Sequence, residues 1–294
     1  MPTIALIGAD GQVGQELQQA LHPLGELILF NRQTLDLSQP ERIPAILEPY
    51  RPHAIVNAAA YTAVDRAESE LELAYTINAI APTQLAQVAQ TLNAQLIHLS
   101  TDYVFNGTKG SPYHPQDPAR PMSVYGASKL AGEQGIQAHC DRHWIIRTAW
   151  VYGTYGKSNF VKTMLKLGAE RSQLKIVADQ IGTPTWARSI AEAIAHLTQT
   201  LDTEAAPAGI YHFTNSGVAS WYDFAVAIFE EARALNMPLQ IEQVLPITTA
   251  DYPTPAQRPA YSVLSCQEIL PFLSQPPLHW RSALRLMLAE QGLP

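Results

Sequence analysis

The sequence predicts an α/β fold, in which a doubly wound parallel sheet precedes a smaller C-terminal α/β lobe. Two observations support this. Through the first half of the chain, short apolar runs alternate with segments of helical periodicity, the pattern of parallel strands joined by crossover helices. Beyond residue 152 the alternation becomes irregular, although no linker, repeat or low-complexity tract interrupts it. We predict a first domain over 1–152, with returning segments near 174–215, and a lobe over 153–294.

Composition excludes several classes of protein. The 294 residues are enough to bury a large core, and the net charge of −7 without a basic stripe argues against a nucleic-acid binder. No apolar run approaches the roughly 20 residues of a membrane span, and the first residues do not resemble a targeting signal. Cys140 and Cys266 form no CxxC pair, and the nine histidines lack metal-ligand spacing. We expect a cytoplasmic protein that contacts neither nucleic acid nor membrane.

The first strand, 3–7, runs directly into a glycine-rich turn and a helix over 15–21. Glycines at such a turn let a pyrophosphate approach backbone N–H groups at a helix N-terminus. The alternative is a simple strand–helix turn. At this position in the chain the pattern indicates a Rossmann-like dinucleotide-binding domain over 1–152. The predicted cofactor-binding residues of the turn are Gly8, Gly11, Gln12, Val13 and Gly14.

The second strand, 25–30, ends at Asn31 and Arg32 rather than at the carboxylate that usually binds the ribose 2′-hydroxyl of NAD. A guanidinium there suits a 2′-phosphate, so NADPH is favoured and NADH stays open. Alternatively, Arg32 is a solvated loop charge. We expect Asp36 and Leu37 to lie near the adenine.

Small and hydroxyl-bearing residues follow the third and fourth strands, 54–56 and 95–99, which are separated by a helix over 70–90. Open α/β sheets bind ligands at the carboxyl ends of their strands. A helix-packing patch and turn-capping hydroxyls are the alternatives. The residues expected at this edge are Ala58, Ala59, Ala60, Thr62 and Leu99 for the cofactor, and Thr101 and Asp102 for the substrate.

Tyr125 and Lys129 lie four residues apart after a loop over 107–121. On a helix this spacing stacks both side chains on one face, and an ammonium near a phenol lowers its pKa. The pair then suits general acid–base catalysis. The alternative is a surface tyrosine beside a solvated lysine. A fifth strand follows at 144–146.

The remaining chain alternates less regularly. We predict helices over 40–47, 159–167, 186–201, 221–235 and 280–288, strands over 174–177 and 209–213, and loops over 179–185 and 253–259.

Several motifs together resemble the extended short-chain dehydrogenase/reductases, and within them the dTDP-4-dehydrorhamnose reductases. They span almost the whole chain: Gly11-Gln12-Val13-Gly14, Asn57-Ala58-Ala59-Ala60-Tyr61-Thr62-Ala63-Val64-Asp65, Ser100-Thr101-Asp102-Tyr103-Val104-Phe105, Tyr125-Gly126-Ala127-Ser128-Lys129, Arg147-Thr148-Ala149-Trp150-Val151-Tyr152, Asn159-Phe160, Asp179-Gln180, Gly182-Thr183-Pro184-Thr185, and Arg258-Pro259 with Ser262. Ser265 departs from the family, which often has an acidic residue there.

The resemblance implies NADPH-dependent reduction of the 4-keto group of dTDP-4-dehydro-L-rhamnose, a dTDP-linked 6-deoxy-4-keto hexose, to dTDP-L-rhamnose. It makes Tyr125 the proton donor and Thr101 the residue that holds the keto oxygen. Lys129 would lower the pKa of the phenol and bind the nicotinamide ribose. The residues implied to contact substrate are Thr101, Asp102, Trp150 and Arg258. A packed core tryptophan and a solvated arginine are the alternatives for the last two.

Some members of the family also hold a divalent cation at a dimer contact. The resemblance therefore implies a homodimer with Mg²⁺ bound by Glu16, Glu192 and Glu290, against the alternative of solvated glutamates.

Two other functions stay open. A nucleotide-sugar epimerase or dehydratase of the same fold retains NAD and would favour an acid in place of Arg32. A non-catalytic dinucleotide-binding regulatory subunit is the second, and the intact Thr101, Tyr125 and Lys129 count against it.

Overall fold

The computed structural model describes residues 1–201 and 207–291. Residues 202–206 of the predicted returning segment and 292–294 of the predicted lobe lie outside this range. In chain order the strands are β1 (Thr3–Ile7), β2 (Glu26–Phe30), β3 (Ala54–Asn57), β4 (Gln95–Thr101), β5 (His143–Thr148), β6 (Val151–Tyr152), β7 (Gln173–Val177), β8 (Ile181–Gly182), β9 (Thr185–Trp186), β10 (Gly209–His212), β11 (Ala219–Ser220) and β12 (Gln243–Ile247). The α-helices are α1 (Gln12–Leu21), α2 (Ile43–Leu47), α3 (Val64–Ala67), α4 (Leu71–Tyr75), α5 (Ala81–Leu92), α6 (Val124–His139), α7 (Phe160–Glu170), α8 (Ala187–Gln199), α9 (Trp221–Ala234) and α10 (Trp280–Gln291).

A six-stranded parallel sheet is the centre of the fold, with strand order β10-β5-β4-β3-β1-β2. Ile7, the last residue of β1, lies between Phe30 of β2 and Asn57 of β3. The chain therefore changes its direction of winding between β2 and β3, which makes a topological switch point at the carboxyl ends of β1 and β3. The predicted doubly wound α/β sheet is confirmed.

Helices cover both faces of this sheet because its strands are apolar on both sides. Along β1, Ile4 and Leu6 pack into the core on the face covered by α1 and α8, whereas Ala5 and Ile7 pack on the opposite face with α5. The four side chains are at most 1% exposed. This alternation follows from the two-residue period of a strand.

The C-terminal part has its own apolar cluster, in which Phe224, Trp280 and Tyr152 pack together. Strand β7 pairs with β12 rather than with the central sheet, so β10 is the strand that returns to that sheet. The predicted loop over 179–185 contains β8, and β9 begins at its last residue. Two-residue strands such as these contain a single alternation period, so no repeating sequence pattern reveals them.

The predicted helix over 70–90 is divided into α4, a π-helical turn (Thr76–Ile80) and α5. Asn78 in this turn accepts a hydrogen bond from Tyr61 N (2.8 Å) and donates one to Tyr61 O (3.0 Å). The π-helical turn therefore directs the buried side-chain amide of Asn78 toward the backbone of Tyr61, in the segment that follows β3. Among the described residues, no helix is long and apolar enough to cross a bilayer.

Candidate active site

The glycine turn after β1 is built into the switch point of the sheet. Gly8 has φ +81°, and a Cβ atom there would lie 2.8 Å from the backbone nitrogen of Ala59. A Cβ atom on Gly14 would lie 2.0 Å from the carbonyl oxygen of Gly8. The N–H groups of Gly8 and Ala9 both donate to Phe30 O, at 2.9 and 3.1 Å. Side chains larger than glycine would therefore disrupt this turn.

Helix α1 begins at this turn without a side-chain cap and without an acidic residue in its first turn. Its first N–H groups therefore suit an anion, and the helix dipole favours one. The side chain of Gln12 donates to Val151 O (3.2 Å) and accepts from Asn159 Nδ2 (2.6 Å), which fixes the start of the helix against the segment after β5. The turn and the helix fit a dinucleotide pyrophosphate.

The predicted nucleotide-selecting residues follow β2. The side chain of Arg32 is 81% exposed, and its Nε lies 3.8 Å from Asp36 Oδ2. A backbone hydrogen bond from Ser38 and the charge of Arg32 lower the pKa of Asp36, although burial opposes them. Asn31 accepts hydrogen bonds from Gln33 N (3.0 Å) and Thr34 N (3.2 Å) through its Oδ1. The guanidinium is therefore exposed to solvent beside the carboxylate of Asp36, at the position where the sequence predicts a phosphate contact.

The alanine segment after β3 lies at the same edge of the sheet. Ala58 N donates to Ile7 O (3.0 Å), and Ala59 N donates to Asn57 Oδ1 (3.1 Å). Ala58, Ala59, Ala60 and Leu99 are half-buried, Leu37 is buried, and Thr62 is exposed.

The two hydroxyls at the end of β4 point to opposite faces, as the strand period requires. Ser100 Oγ donates to Glu133 Oε1 (2.5 Å), beneath α6. Thr101 Oγ1 donates to Asp102 Oδ1 (3.1 Å), and the Thr101 side chain lies close enough to the Tyr125 phenol to lower its pKa through a hydrogen bond. The structure thus brings together Thr101 and Tyr125 and leaves Ser100 in a separate network.

Tyr125 lies in the first turn of α6, which Ser123 caps by accepting a hydrogen bond from Gly126 N (3.2 Å). Its ring packs edge-on against Tyr103, with a centroid distance of 5.5 Å. Burial raises the pKa of the phenol to about 12, although the hydrogen bond with Thr101 opposes the shift. Tyr125 therefore stays protonated at neutral pH, as a proton donor requires.

Lys129 is buried beneath the site rather than solvated. Its side chain is 1% exposed, and its Nζ donates to Leu99 O (2.6 Å) and contacts His98 Nε2 (3.0 Å). Burial lowers the pKa of this amine to about 8, against the opposing charge of Glu133. Burial raises the pKa of Tyr125, and the lowering of that pKa by Lys129 stays a prediction. The helical spacing of Tyr125 and Lys129 fixes where their Cβ atoms lie. The long lysine side chain then extends toward the hydrogen-bond acceptors of β4.

Asp102 is buried beside Thr101, and burial raises its pKa to about 6, although hydrogen bonds with Ser262 and Thr101 oppose this. Trp150 has φ +48° and stacks on Trp221, with a centroid distance of 3.6 Å. The sequence pattern assigned Trp221 to the helix core, so its position against Trp150 was missed. The two indoles form one half-buried aromatic surface.

Arg258 is held by a carboxylate. Its guanidinium donates to both oxygens of Asp65, at 3.0 and 2.7 Å. This pair fastens the proline-rich loop over 253–259 to α3. The sequence shows the motif that contains Asp65, but it does not show that Asp65 pairs with Arg258, because 193 residues separate the two.

The predicted metal-binding glutamates surround an arginine instead. Arg188 bonds to Glu16 (3.1 Å) and to Glu290, whereas the pKa of Glu192 is raised by burial. Within residues 1–201 and 207–291, no group of three or more His, Cys, Asp or Glu side chains is arranged to hold a metal ion. The predicted Mg²⁺ site is therefore not supported, since the cation at this cluster is a guanidinium.

Comparison with known proteins agrees with this geometry. Residues 2–292 match the family model described as the RmlD substrate binding domain. The dTDP-4-dehydrorhamnose reductase of Escherichia coli K12 is 43% identical over 291 residues, which are 98% of this chain and 97% of that protein. The chain belongs to the dTDP-4-dehydrorhamnose reductase family. As a member of it, the protein is an NAD(P)H-dependent oxidoreductase.

Solved structures extend the likeness. The crystal structure of dTDP-4-dehydrorhamnose reductase from Bacillus anthracis, in complex with NADP, is 37% identical and superimposes with a TM-score of 0.90, covering 98% of this chain and 99% of that one. A Thermus thermophilus UDP-glucose 4-epimerase with NAD has a TM-score of 0.80 at 19% identity over 98% of both chains. That second likeness concerns the fold alone.

Proposed function

We propose that this protein catalyses the NADPH-dependent reduction of the 4-keto group of dTDP-4-dehydro-L-rhamnose to dTDP-L-rhamnose. The observation that supports it most is the approach of the buried Thr101 side chain to the half-buried Tyr125 phenol at the same sheet edge as the glycine turn, in a chain of this reductase family. The Bacillus anthracis relative was solved with NADP, and the exposed guanidinium of Arg32 suits the extra phosphate of that cofactor.

In this proposal each residue of the site has a separate task. The N–H groups at the start of α1 hold the pyrophosphate, and Arg32 holds the 2′-phosphate. NADPH, when bound, supplies the hydride. Thr101 turns its hydroxyl hydrogen from Asp102 Oδ1 to the keto oxygen, and Tyr125 gives that oxygen its proton as negative charge develops there.

Lys129 binds the nicotinamide ribose in this proposal, while Asp102 and Trp150 contact the sugar. The stacked indoles of Trp150 and Trp221 offer an apolar face for a deoxy sugar. Arg258 reaches the nucleotide diphosphate only if it exchanges one of its contacts with Asp65. A cytoplasmic location is part of the proposal, and the free thiols of Cys140 and Cys266 fit a reducing compartment.

A spectrophotometric assay tests the proposal by following the oxidation of NADPH or NADH with the dTDP-linked keto sugar. We expect rapid oxidation that prefers NADPH and needs no added metal. Binding of NADPH without turnover would favour a regulatory subunit. Tightly bound NAD with no net oxidation of added NADPH would favour an epimerase.

A further inference from the structure

At the border of the candidate site, Trp150 has a backbone conformation that its bulky side chain does not favour. Its φ of +48° lies in the left-handed region, where such residues are outliers. Two hydrogen bonds fix the chain at this point: Trp150 O accepts from Thr185 N (3.1 Å), and Val151 O accepts from the side chain of Gln12 (3.2 Å). A conformation of this kind persists only where the surrounding structure holds it, and it is typical of residues placed for a function.

The indole of Trp150 is held by a second indole. Trp221 stacks on it with a centroid distance of 3.6 Å and an angle of 6° between the ring planes. Phe160 also packs against Trp221, with a centroid distance of 4.6 Å. Trp221 is therefore fixed between contacts with two aromatic rings, and its stacked face restricts the rotation of the Trp150 side chain.

The position of Trp221 is in turn determined by the backbone. Trp221 is the first residue of α9, which begins with a capping box. Ser220 Oγ accepts a hydrogen bond from Asp223 N (3.0 Å), and Asp223 Oδ2 accepts one from Ser220 N (2.9 Å). Just before the helix, Ala219 of β11 pairs with Gly182 of β8. The second indole is thus carried by a well-defined helix start.

Gly182 limits the space that the Trp150 indole can occupy. A Cβ atom at this position would lie 2.6 Å from Cε2 and 2.7 Å from Nε1 of Trp150, which is too close for any real contact. The φ of Gly182 lies outside the left-handed region, so no backbone conformation requires a glycine here. The missing side chain therefore makes room for the indole, and alanine would displace the ring.

Strand β8 also connects this aromatic surface to the candidate site. Ile181, the neighbour of Gly182, donates to Ala260 O (2.8 Å) and accepts from Ser262 N (2.8 Å). Ser262 lowers the pKa of Asp102 through a hydrogen bond, so its side chain lies at that carboxyl. Two consecutive residues of β8 thus contact the indole on one side and the segment that reaches Asp102 on the other. The aromatic surface borders the candidate site.

We propose that Trp221 and Gly182 are positioning residues that hold the Trp150 indole in one orientation, in which its exposed part binds the apolar side of the substrate's sugar. Because the ring is ordered before the substrate arrives, binding does not have to immobilise it. Only the assignment of the sugar to this surface rests on the proposed function.

NMR of the full-length protein labelled with ¹⁵N-tryptophan tests the geometry without any substrate. The five tryptophans give five indole N–H signals, which Trp150→Leu and Trp221→Leu assign. We expect nuclear Overhauser effects between the two rings, and a Trp150 signal that shifts in Trp221→Leu and in Gly182→Ala. Gly110→Ala is the matched control, since a Cβ atom there meets nothing within 4 Å, and it should leave the signal in place. Absence of the effects between the rings, or a Trp150 signal that Trp221→Leu leaves unmoved, would overturn the proposal.

Kinetics separate a positioning role from a general structural one. In Trp221→Leu, KM for the dTDP-linked keto sugar should rise about tenfold, which corresponds to the loss of one aromatic contact of about 1.4 kcal/mol. KM for NADPH should stay near the wild-type value, and Trp221→Phe, which keeps an aromatic ring, should recover most of the affinity for the sugar. Equal increases in both KM values would show that Trp221 only maintains the fold, and would contradict the proposal.

A double-mutant cycle shows whether Trp221 acts through Trp150. If it does, Trp221→Leu has no further effect on KM for the sugar once Trp150 is already leucine. Two independent increases that multiply in the double variant would refute the positioning role. If the wild type does not reduce the keto sugar at all, the proposed function fails, while the NMR result still decides whether Trp221 and Gly182 hold the Trp150 indole.

Discussion

Replacement of Asp102 by asparagine should stabilise the protein at neutral pH. Burial raises the pKa of this carboxyl from 3.8 to about 6 in the folded protein. Between these two values the folded state binds more protons than the unfolded chain, so the free energy of unfolding falls as pH rises. A shift of roughly two units corresponds to about 3 kcal/mol. Asparagine does not ionise, so Asp102→Asn escapes this loss.

Urea denaturation of the wild type and Asp102→Asn at several values between pH 4 and pH 7.5 measures the effect. The stability difference in favour of the variant should grow by up to about 3 kcal/mol over this range and level off above pH 6 to 7. Subtracting the two proteins cancels the titration of all other groups. Asp251→Asn is the control, because hydrogen bonds from Thr248 lower the pKa of that exposed carboxyl and it should show no such gain. A difference independent of pH would refute the reasoning.

Three further predictions concern single functions of the site. Tyr125→Phe should reduce turnover by about 10²–10⁴-fold while NADP affinity, measured by calorimetry, stays near the wild-type value, and full activity would mean that another group donates the proton. Arg32→Ala should raise KM for NADPH more than KM for NADH, and equal increases would exclude the phosphate contact. Arg147→Met leaves Glu133 buried without its cation, so the free energy of unfolding should fall by about 3–5 kcal/mol. Adding Glu133→Leu to this variant should restore much of the lost stability, because no buried charge then remains unpaired. No recovery in the double variant would show that packing rather than charge is lost.

Local patterns predicted the sheet well. Runs such as 3–7 and 95–99 are strand-length and apolar, and Gly8 and Gly14 stand where backbone atoms approach each other closely. Short strands such as β8 are the exception, because pairing over two residues leaves no periodic trace.

The site was less predictable because its chemistry depends on contacts between distant elements. Spacing on α6 places Lys129 below Tyr125, but the acceptor for its amine is the carbonyl of Leu99 on another element. His98 lies inside an apolar strand, so the sequence does not distinguish it from a histidine of the hydrophobic core. Only the structure shows that it contacts Asn57 of β3 and Lys129 of α6. The glutamate cluster fits a metal until Arg188 is placed within it.

Reduction with deuterated cofactor tests the central claim most directly. NADPH that carries deuterium in the transferable position at C4 of the nicotinamide is incubated with the protein and the dTDP-linked 4-keto sugar, and the product is analysed by NMR. We predict stoichiometric cofactor oxidation, with the label on C4 of a dTDP-L-rhamnose product. Unlabelled sugar, label at another carbon, or conversion of the sugar without net oxidation of NADPH would contradict the account.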